Sequence, residues 1–209
     1  MGDQKAHWEK VYESKKPSEV SWYQPHLVVS LDLIERSGIT HADHIIDVGG
    51  GASTLVDDLI DRGFHNLTVL DISSKAIEIS RARLVEQSAR VHWIVGDVLQ
   101  TPLEKARYHL WHDRAVLHFL TDAEARRTYV RNVRHAVCPG GFIVISTFAL
   151  DGPAKCSGLE VCRYAPETLL AEFGPDFRLI KSRAERHRAP SGAVQAFLYC
   201  LLSFDGTTR

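Results

Sequence analysis

Residues 45–54 read Ile-Ile-Asp-Val-Gly-Gly-Gly-Ala-Ser-Thr, a short apolar run that ends in three consecutive glycines. The apolar run predicts a buried strand, and the glycines allow a sharp turn and the close approach of a ligand to the backbone. A helix predicted over residues 53–62 would begin directly after the turn and offer its free N–H groups to polar ligand atoms. The segment therefore predicts a strand–turn–helix unit that binds a cofactor.

An acidic residue follows the next predicted strand at a suitable distance. Residues 67–70 form a second apolar run, and Asp71 ends it, 20 residues after Gly51. A carboxylate at this spacing is expected to accept hydrogen bonds from ribose hydroxyls. The pattern predicts a nucleotide-type cofactor and leaves two candidates open, NAD(P) and S-adenosylmethionine.

The rest of the chain alternates in the same way. Further strands are predicted over 91–95, from 108 onward and over 142–148, with helices between them, including one capped by Thr121. Such alternation predicts a parallel sheet covered by helices on both faces. Two runs at the end, 177–186 and 193–204, are joined by a turn without a helix, so we expect them to pair antiparallel.

Composition narrows the class of protein. The chain has 209 residues and a formal net charge of −1, with 44% hydrophobic and 24% charged residues. These values suit one domain over residues 1–209 and give no basic surplus for binding nucleic acid. The polar N-terminus, the short apolar runs and four cysteines without a CxxC pair predict a cytoplasmic protein with no membrane contact. Cys156, Cys162 and His187 match no zinc spacing, so no metal site is predicted.

Two residues favour S-adenosylmethionine over the dinucleotide. Thr54 stands where the dinucleotide fingerprint has its third glycine. Asp47 precedes the first glycine. The dinucleotide fingerprint gives an acid at this position no role, whereas the ammonium of an amino-acid group could donate a hydrogen bond to it. An NAD(P)-dependent oxidoreductase and a non-catalytic cofactor-binding module remain the alternatives.

Five motifs now stand at successive junctions of the predicted strands and helices: Asp47-Val-Gly-Gly-Gly51, Asp71, Gly96-Asp97-Val98, Trp111-His112-Asp113-Arg114 and Cys138-Pro139-Gly140-Gly141. In this order they resemble the class I S-adenosylmethionine-dependent methyltransferases. The resemblance covers residues 7–141. It implies a Rossmann-like three-layer α/β/α sandwich with a mostly parallel seven-stranded sheet and an antiparallel last strand. Residues 44–209 would form this core, and residues 1–37 would form helices that cap the cofactor and substrate.

The resemblance also implies the cofactor site. Asp47 would serve the cofactor ammonium, Asp71 the ribose, and Asp97 the adenine amino group, with the Val98 backbone at the ring edge. The full expected set is Trp8, Tyr12, Trp22, Asp47, Gly49, Gly51, Ser53, Asp71, Ile72, Asp97, Val98 and Asp113.

The reaction expected is in-line transfer of a methyl group to an acceptor lone pair, for which orientation is the main requirement. Asp113 and His118 are the candidate bases, whereas His112 alternates away from Asp113 on the strand and is expected to point elsewhere. The loop over 151–163 is expected to wall the acceptor pocket. A small-molecule acceptor (a thiol, amine or carboxylate) is favoured, and a protein lysine is the alternative.

Overall fold

Ten strands and six helices build the part of the chain that the computed structural model describes, residues 2–206. The strands are β1 His44–Val48, β2 Asn66–Asp71, β3 Val91–Val95, β4 Tyr108–Arg114, β5 Val137–Ala149, β6 Lys155–Cys156, β7 Leu159–Glu160, β8 Arg163–Tyr164, β9 Phe177–Arg188 and β10 Val194–Phe204. The helices are α1 Gly2–Ser14, α2 Val28–Ser37, α3 Leu55–Asp61, α4 Ser74–Leu84, α5 Ala123–Ala136 and α6 Pro166–Phe173. Short 3-10 turns span Pro17–Glu19, Val85–Arg90 and Leu117–Phe119.

The main sheet has the strand order β3-β2-β1-β4-β5-β10-β9, and the short β8 pairs with β5 beside this path. The pairs among β1 to β5 are parallel, and β10 runs antiparallel to both β5 and β9. The mostly parallel sheet with an antiparallel last strand is thus confirmed. β6 and β7 form a separate two-stranded ribbon.

Side-chain alternation on β4 divides the core into two layers. Leu110 packs on the face covered by α2 and α3, and Trp111 packs on the opposite face, which α5 and α6 cover. Continuing the alternation, His112 and Arg114 belong to the α2–α3 face and Asp113 to the α5–α6 face. The face of the sheet on which each β4 side chain lies decides which residues can reach the functional site.

Two helices differ from the sequence-based expectation. Asp122, and not Thr121, caps α5, because its side chain accepts a hydrogen bond from the Ala125 N–H at 2.9 Å. Helix α6 was not expected; Pro166 at its first position fits its start. No helix within residues 2–206 combines the length and the apolar character that crossing a bilayer requires.

The strand order reverses between β1 and β4, because β2 and β3 extend to one side of β1 and β5 to the other side of β4. At such a point the connections that follow neighbouring strands separate in opposite directions and leave a crevice at the carboxyl ends. The glycine turn after β1 and the turn after β4 line this crevice.

Candidate cofactor and acceptor site

The crevice encloses about 1240 Å³ of space not filled by atoms, part of it open to solvent. Its walls come from the strand ends, from α1 and from the segment that links α1 to α2. Most of the residues expected at a cofactor site lie on these walls: Trp8, Tyr12, Trp22, Asp47, Gly49, Ser53, Asp71, Ile72, Asp97 and Val98. Gly51, Asp113 and His118 do not line it.

Asp47, at the end of β1, is held by a buried histidine. Its Oδ1 accepts a hydrogen bond from His112 Nδ1 at 2.7 Å, and His112 Nε2 lies 2.9 Å from Ser30 Oγ. Asp47 Oδ2 is buried and has no hydrogen-bond partner. A Cβ placed on Gly50 would collide with that oxygen. The glycine turn therefore lies directly against one free carboxylate oxygen, which suits a cationic ligand group.

The expectation that His112 points elsewhere is corrected by this contact. His112 does alternate away from Asp113, but the alternation turns it toward Asp47 and the crevice. The sequence did not show which face of β4 borders the crevice. Asp47 and His112 are register partners on neighbouring parallel strands, so their side chains lie on the same face of the sheet.

Asp71, at the end of β2, closes the turn from the other side. Its Oδ2 accepts from the Gly51 N–H at 3.0 Å and its Oδ1 from the Ser73 N–H at 2.8 Å. Burial raises the pKa of Asp71 to about 7, although these two bonds act in the opposite direction. A Cβ on Gly51 would lie 2.5 Å from Asp71 Oδ2 and 2.5 Å from Ala76 Cβ. Gly51 therefore stands behind the wall and leaves room for Asp71 and α4.

Asp97 and Val98 follow β3 and complete the third strand end. Asp97 Oδ1 accepts from the Leu99 N–H at 2.9 Å, and the Val98 carbonyl accepts from Asn132 Nδ2 at 2.8 Å. These bonds fix the turn after β3. The three aspartates thus stand at the ends of three adjacent strands, β1, β2 and β3.

Helix α1 covers the crevice and is fastened by Glu9, which the sequence did not single out. The Glu9 carboxylate accepts hydrogen bonds from Ser73 Oγ at 2.7 Å, Ser74 N at 2.9 Å, Ser74 Oγ at 2.8 Å and Lys75 N at 3.0 Å. Burial alone would raise its pKa, but these hydrogen bonds outweigh it and lower the pKa to about 2. Glu9 therefore ties α1 to the first turn of α4, where a negative charge is favourable.

Aromatic side chains form another part of the crevice wall. The Trp8 ring lies 5.7 Å from the Trp22 ring and 5.1 Å from the Phe119 ring, both edge to face. His7 Nε2 lies 3.3 Å from Ser157 Oγ in the loop after β5, and Cys156 of this loop lines the crevice. The loop and α1 thus contact one another above the sheet.

Arg114 stands at the crevice end of β4, on the same face as His112. Its Nε donates to Tyr199 Oη at 2.9 Å and its Nη1 to the Trp22 carbonyl at 2.8 Å. The guanidinium carbon also lies 4.7 Å from the centre of the Phe197 ring. Arg114 lines the crevice, and the sequence analysis gave it no role of its own.

Asp113, which was expected to reach the cofactor or act as a base, does not line the crevice in the structure. Its fully buried side chain points to the α5–α6 face, where it accepts from Tyr129 Oη at 2.6 Å, Val116 N at 2.7 Å and Leu117 N at 3.0 Å. Burial raises the pKa of Asp113 to about 6. Its observed contacts hold the turn after β4 in place.

His118, the other residue expected to act as a base, also does not line the crevice, and its ring is fully buried. The ring packs 4.4 Å from the Phe119 ring and 4.9 Å from the Phe148 ring, and neither nitrogen has a hydrogen-bond partner. Burial lowers its pKa to about 3, so the ring is neutral at physiological pH. Among residues 2–206 no group of three or more His, Cys, Asp or Glu side chains could hold a metal ion.

Comparison with known proteins agrees with this arrangement. A family model described as a methyltransferase domain matches residues 45–141. EEF1A lysine methyltransferase 2 of Danio rerio is 27% identical over 154 residues, 71% of this chain and 60% of that protein. Nodulation protein S of Sinorhizobium fredii is 32% identical over 123 residues, 59% of this chain and 53% of that protein.

Among solved structures, N-methyltransferase NodS of Bradyrhizobium japonicum WM9 in complex with S-adenosylhomocysteine has the same fold. Its TM-score is 0.71 at 18% identity, with 94% of this chain and 97% of that chain covered. The match to a methyltransferase domain favours S-adenosylmethionine over the dinucleotide alternative. The match over residues 45–141 and the shared fold support a class I S-adenosylmethionine-dependent methyltransferase.

Proposed function

We propose that the protein transfers the methyl group of S-adenosylmethionine to a small-molecule thiol, amine or carboxylate by in-line displacement. The observation that carries the proposal is the aromatic part of the crevice wall. The Trp8 ring packs against both the Trp22 and the Phe119 rings at this wall, and Ser157 in the loop after β5 contacts His7 of α1. A site enclosed by aromatic side chains suits a compact acceptor that is largely buried when bound.

The residues on the crevice wall fit the cofactor. Asp47 Oδ2 is a buried oxygen without a partner, and it would accept from the cofactor ammonium. Asp71 would accept from the ribose hydroxyls, and Asp97 from the adenine amino group. When bound, the cofactor supplies an electrophilic methyl group on a sulfonium.

The chain's own contribution is then to bind, orient and exclude water. Placing an acceptor lone pair in line with the methyl–sulfur bond can lower the barrier by about 7–11 kcal/mol. An acceptor that arrives as a thiolate, a neutral amine or a carboxylate needs no base. This agrees with the positions of Asp113 and His118 away from the crevice.

A protein lysine is the second candidate acceptor, because relatives from zebrafish and human are named EEF1A lysine methyltransferase 2. The Arg114 guanidinium on the crevice wall disfavours a charged lysine ammonium, since like charges repel at close range. The proposal therefore ranks the small molecule first.

The test is methyl transfer from cofactor labelled on the methyl carbon. The purified protein is incubated with a panel of thiols, amines and carboxylic acids, and in parallel with a cell lysate, and products are identified by mass spectrometry. Label in a small molecule supports the proposal. Label only in lysate proteins, at lysine, would establish the alternative, and an Asp47→Ala variant controls for transfer that does not depend on the site.

A further inference from the structure

Charge is unevenly distributed along the crevice. The carboxylates on its wall, Asp47, Asp71 and Asp97, stand at the ends of β1, β2 and β3. Arg114, at the end of β4, is the one lysine or arginine side chain among the described residues that line it. Arg114 therefore supplies a positive charge on the β4 side of the three wall carboxylates.

The strand register places this charge next to the reaction site. His112 pairs with Asp47 in the sheet, and Arg114 lies one pleat further toward the carboxyl edge on the same face. Arg114 therefore lies beyond the position at which Asp47 would hold the amino-acid end of the cofactor. With the cofactor ammonium at Asp47, the wall at Arg114 would remain for the acceptor.

The guanidinium is fixed in orientation and incompletely bonded. Arg114 Nε donates to Tyr199 Oη, and Nη1 donates to the Trp22 carbonyl. The guanidinium packs over the Phe197 ring. Nη2 is buried and has no partner. No carboxylate in residues 2–206 is found in an ion pair with Arg114; Tyr199, which accepts from Arg114 Nε, donates its own hydroxyl to Glu185 Oε2 at 2.8 Å.

A second polar atom in this corner is also unsatisfied. Ser146 on β5 is the register partner of Arg114, and its buried hydroxyl has no hydrogen-bond partner. Leaving a buried donor of a charged group unpaired costs free energy, and an arginine fixed by three neighbours gives a preorganised site for an oxyanion.

We propose that Arg114 Nη2 binds a carboxylate on the methyl acceptor and so selects small acidic thiols or amines over neutral ones. This inference rests on the proposed function. The carboxylate serves as the anchor, and a thiol or amine elsewhere in the same molecule receives the methyl group. Cys156 and Phe119, which share this part of the wall, contact the body of the acceptor.

The test compares each acid with the alcohol of the same skeleton: mercaptopropionate with mercaptopropanol, and aminobenzoate with aminobenzyl alcohol. Calorimetry measures their binding to the protein saturated with S-adenosylhomocysteine. For wild type we expect each acid to bind at least about tenfold more tightly than its alcohol, the size of one charge-assisted hydrogen bond. Arg114→Gln should reduce this preference to about twofold or less, and Arg114→Lys, which keeps the charge, should retain part of it.

Arg163→Gln is the matched control. Arg163, like Arg114, donates to the main chain, in its case to the carbonyls of Leu150 and Gly152, but it is exposed and does not line the crevice. This variant should keep the full preference.

Equal binding of acid and alcohol by wild type, no binding of either acid, or a preference that survives in Arg114→Gln would overturn the inference. Methyl transfer to the same compounds is assayed separately. An acid preference in binding, with methyl label appearing only in lysate proteins, would reject the small-molecule function but keep the carboxylate site.

Discussion

Asp47 Oδ1 and His112 Nδ1 lie 2.7 Å apart beneath the glycine turn, with both side chains buried. Because a carboxylate only accepts hydrogen bonds, Nδ1 carries the proton, and Ser30 Oγ at Nε2 fixes the ring from its other side. The pair sets the rotation of the Asp47 carboxylate and leaves Oδ2 facing the turn. His112 is therefore a positioning residue for the proposed ammonium contact.

Replacing His112 by Leu should weaken binding of S-adenosylhomocysteine by about tenfold or more, since Asp47 loses its orienting donor and both its oxygens are left unpaired. His112→Asn restores an N–H donor and should recover part of the affinity. Calorimetry and circular dichroism on the same samples separate this effect from unfolding. Equal losses in both variants would mean that the ring matters for packing and not for the hydrogen bond.

Glu9→Gln should lower cofactor affinity by about tenfold, because the amide keeps the shape of the side chain but loses the charge that accepts four bonds from Ser73, Ser74 and Lys75. The matched control is Glu13→Gln, an exposed glutamate on the same helix. Affinity for S-adenosylhomocysteine and amide exchange in α1 are the measurements. If both variants bind equally well, the contact does not hold the helix closed.

Asp71 predicts a pH dependence of cofactor binding. Its pKa is raised from 3.8 to about 7 in the free protein, and ribose hydroxyls would stabilise the ionised form. Cofactor affinity should therefore fall as the pH falls below about 7, and binding near pH 6 should release a proton. Calorimetry in buffers of different ionisation enthalpy measures that release, and Asp71→Asn should abolish it.

The stability of the free protein should change with the opposite sign. A carboxyl whose pKa is higher in the folded state binds more protons when folded, so its contribution to stability is lost as the pH rises from about 4 to about 7. Chemical denaturation of wild type and Asp71→Asn across this range checks the sign. A wild-type stability that rises through the same window relative to the variant would contradict the raised pKa.

His118→Phe should keep methyl transfer and leave stability unchanged or increased. The ring lies between Phe119 and Phe148 with both nitrogens unpaired, so a phenyl ring keeps the volume and removes two unsatisfied polar atoms. Turnover and the midpoint of denaturation are the two readouts. A loss of turnover without a loss of stability would return His118 to the list of candidate bases.

The fold was predictable because its signals are local. The glycine run after β1 and the acids at the ends of β2 and β3 are each encoded within a few residues, and they sit at strand ends in the structure as expected. The antiparallel end of the sheet followed from two predicted strands joined by a short turn without a helix. Helix α6, with eight residues and no strong periodic pattern, gave no comparable signal.

The acceptor side could not be predicted because it depends on register and on distant contacts. His112, Asp113 and Arg114 are consecutive, and only the pairing of β4 with β1 decides that the outer two face the crevice. The contact of Glu9 with Ser73 joins residues 64 positions apart, which no periodicity reveals. Only the tertiary structure shows that Arg114, and not Asp113, lines the crevice.

The attachment of Glu9 to α4 has a consequence for the order of kinetic steps. The same carboxylate that fastens α1 contacts Ser73 and Ser74, directly after Asp71 and Ile72 on the crevice wall, so we expect cofactor exchange to break this contact. We therefore expect an ordered cycle in which S-adenosylmethionine enters first and S-adenosylhomocysteine leaves last, with a pre-steady-state burst of methylated product when helix opening limits turnover.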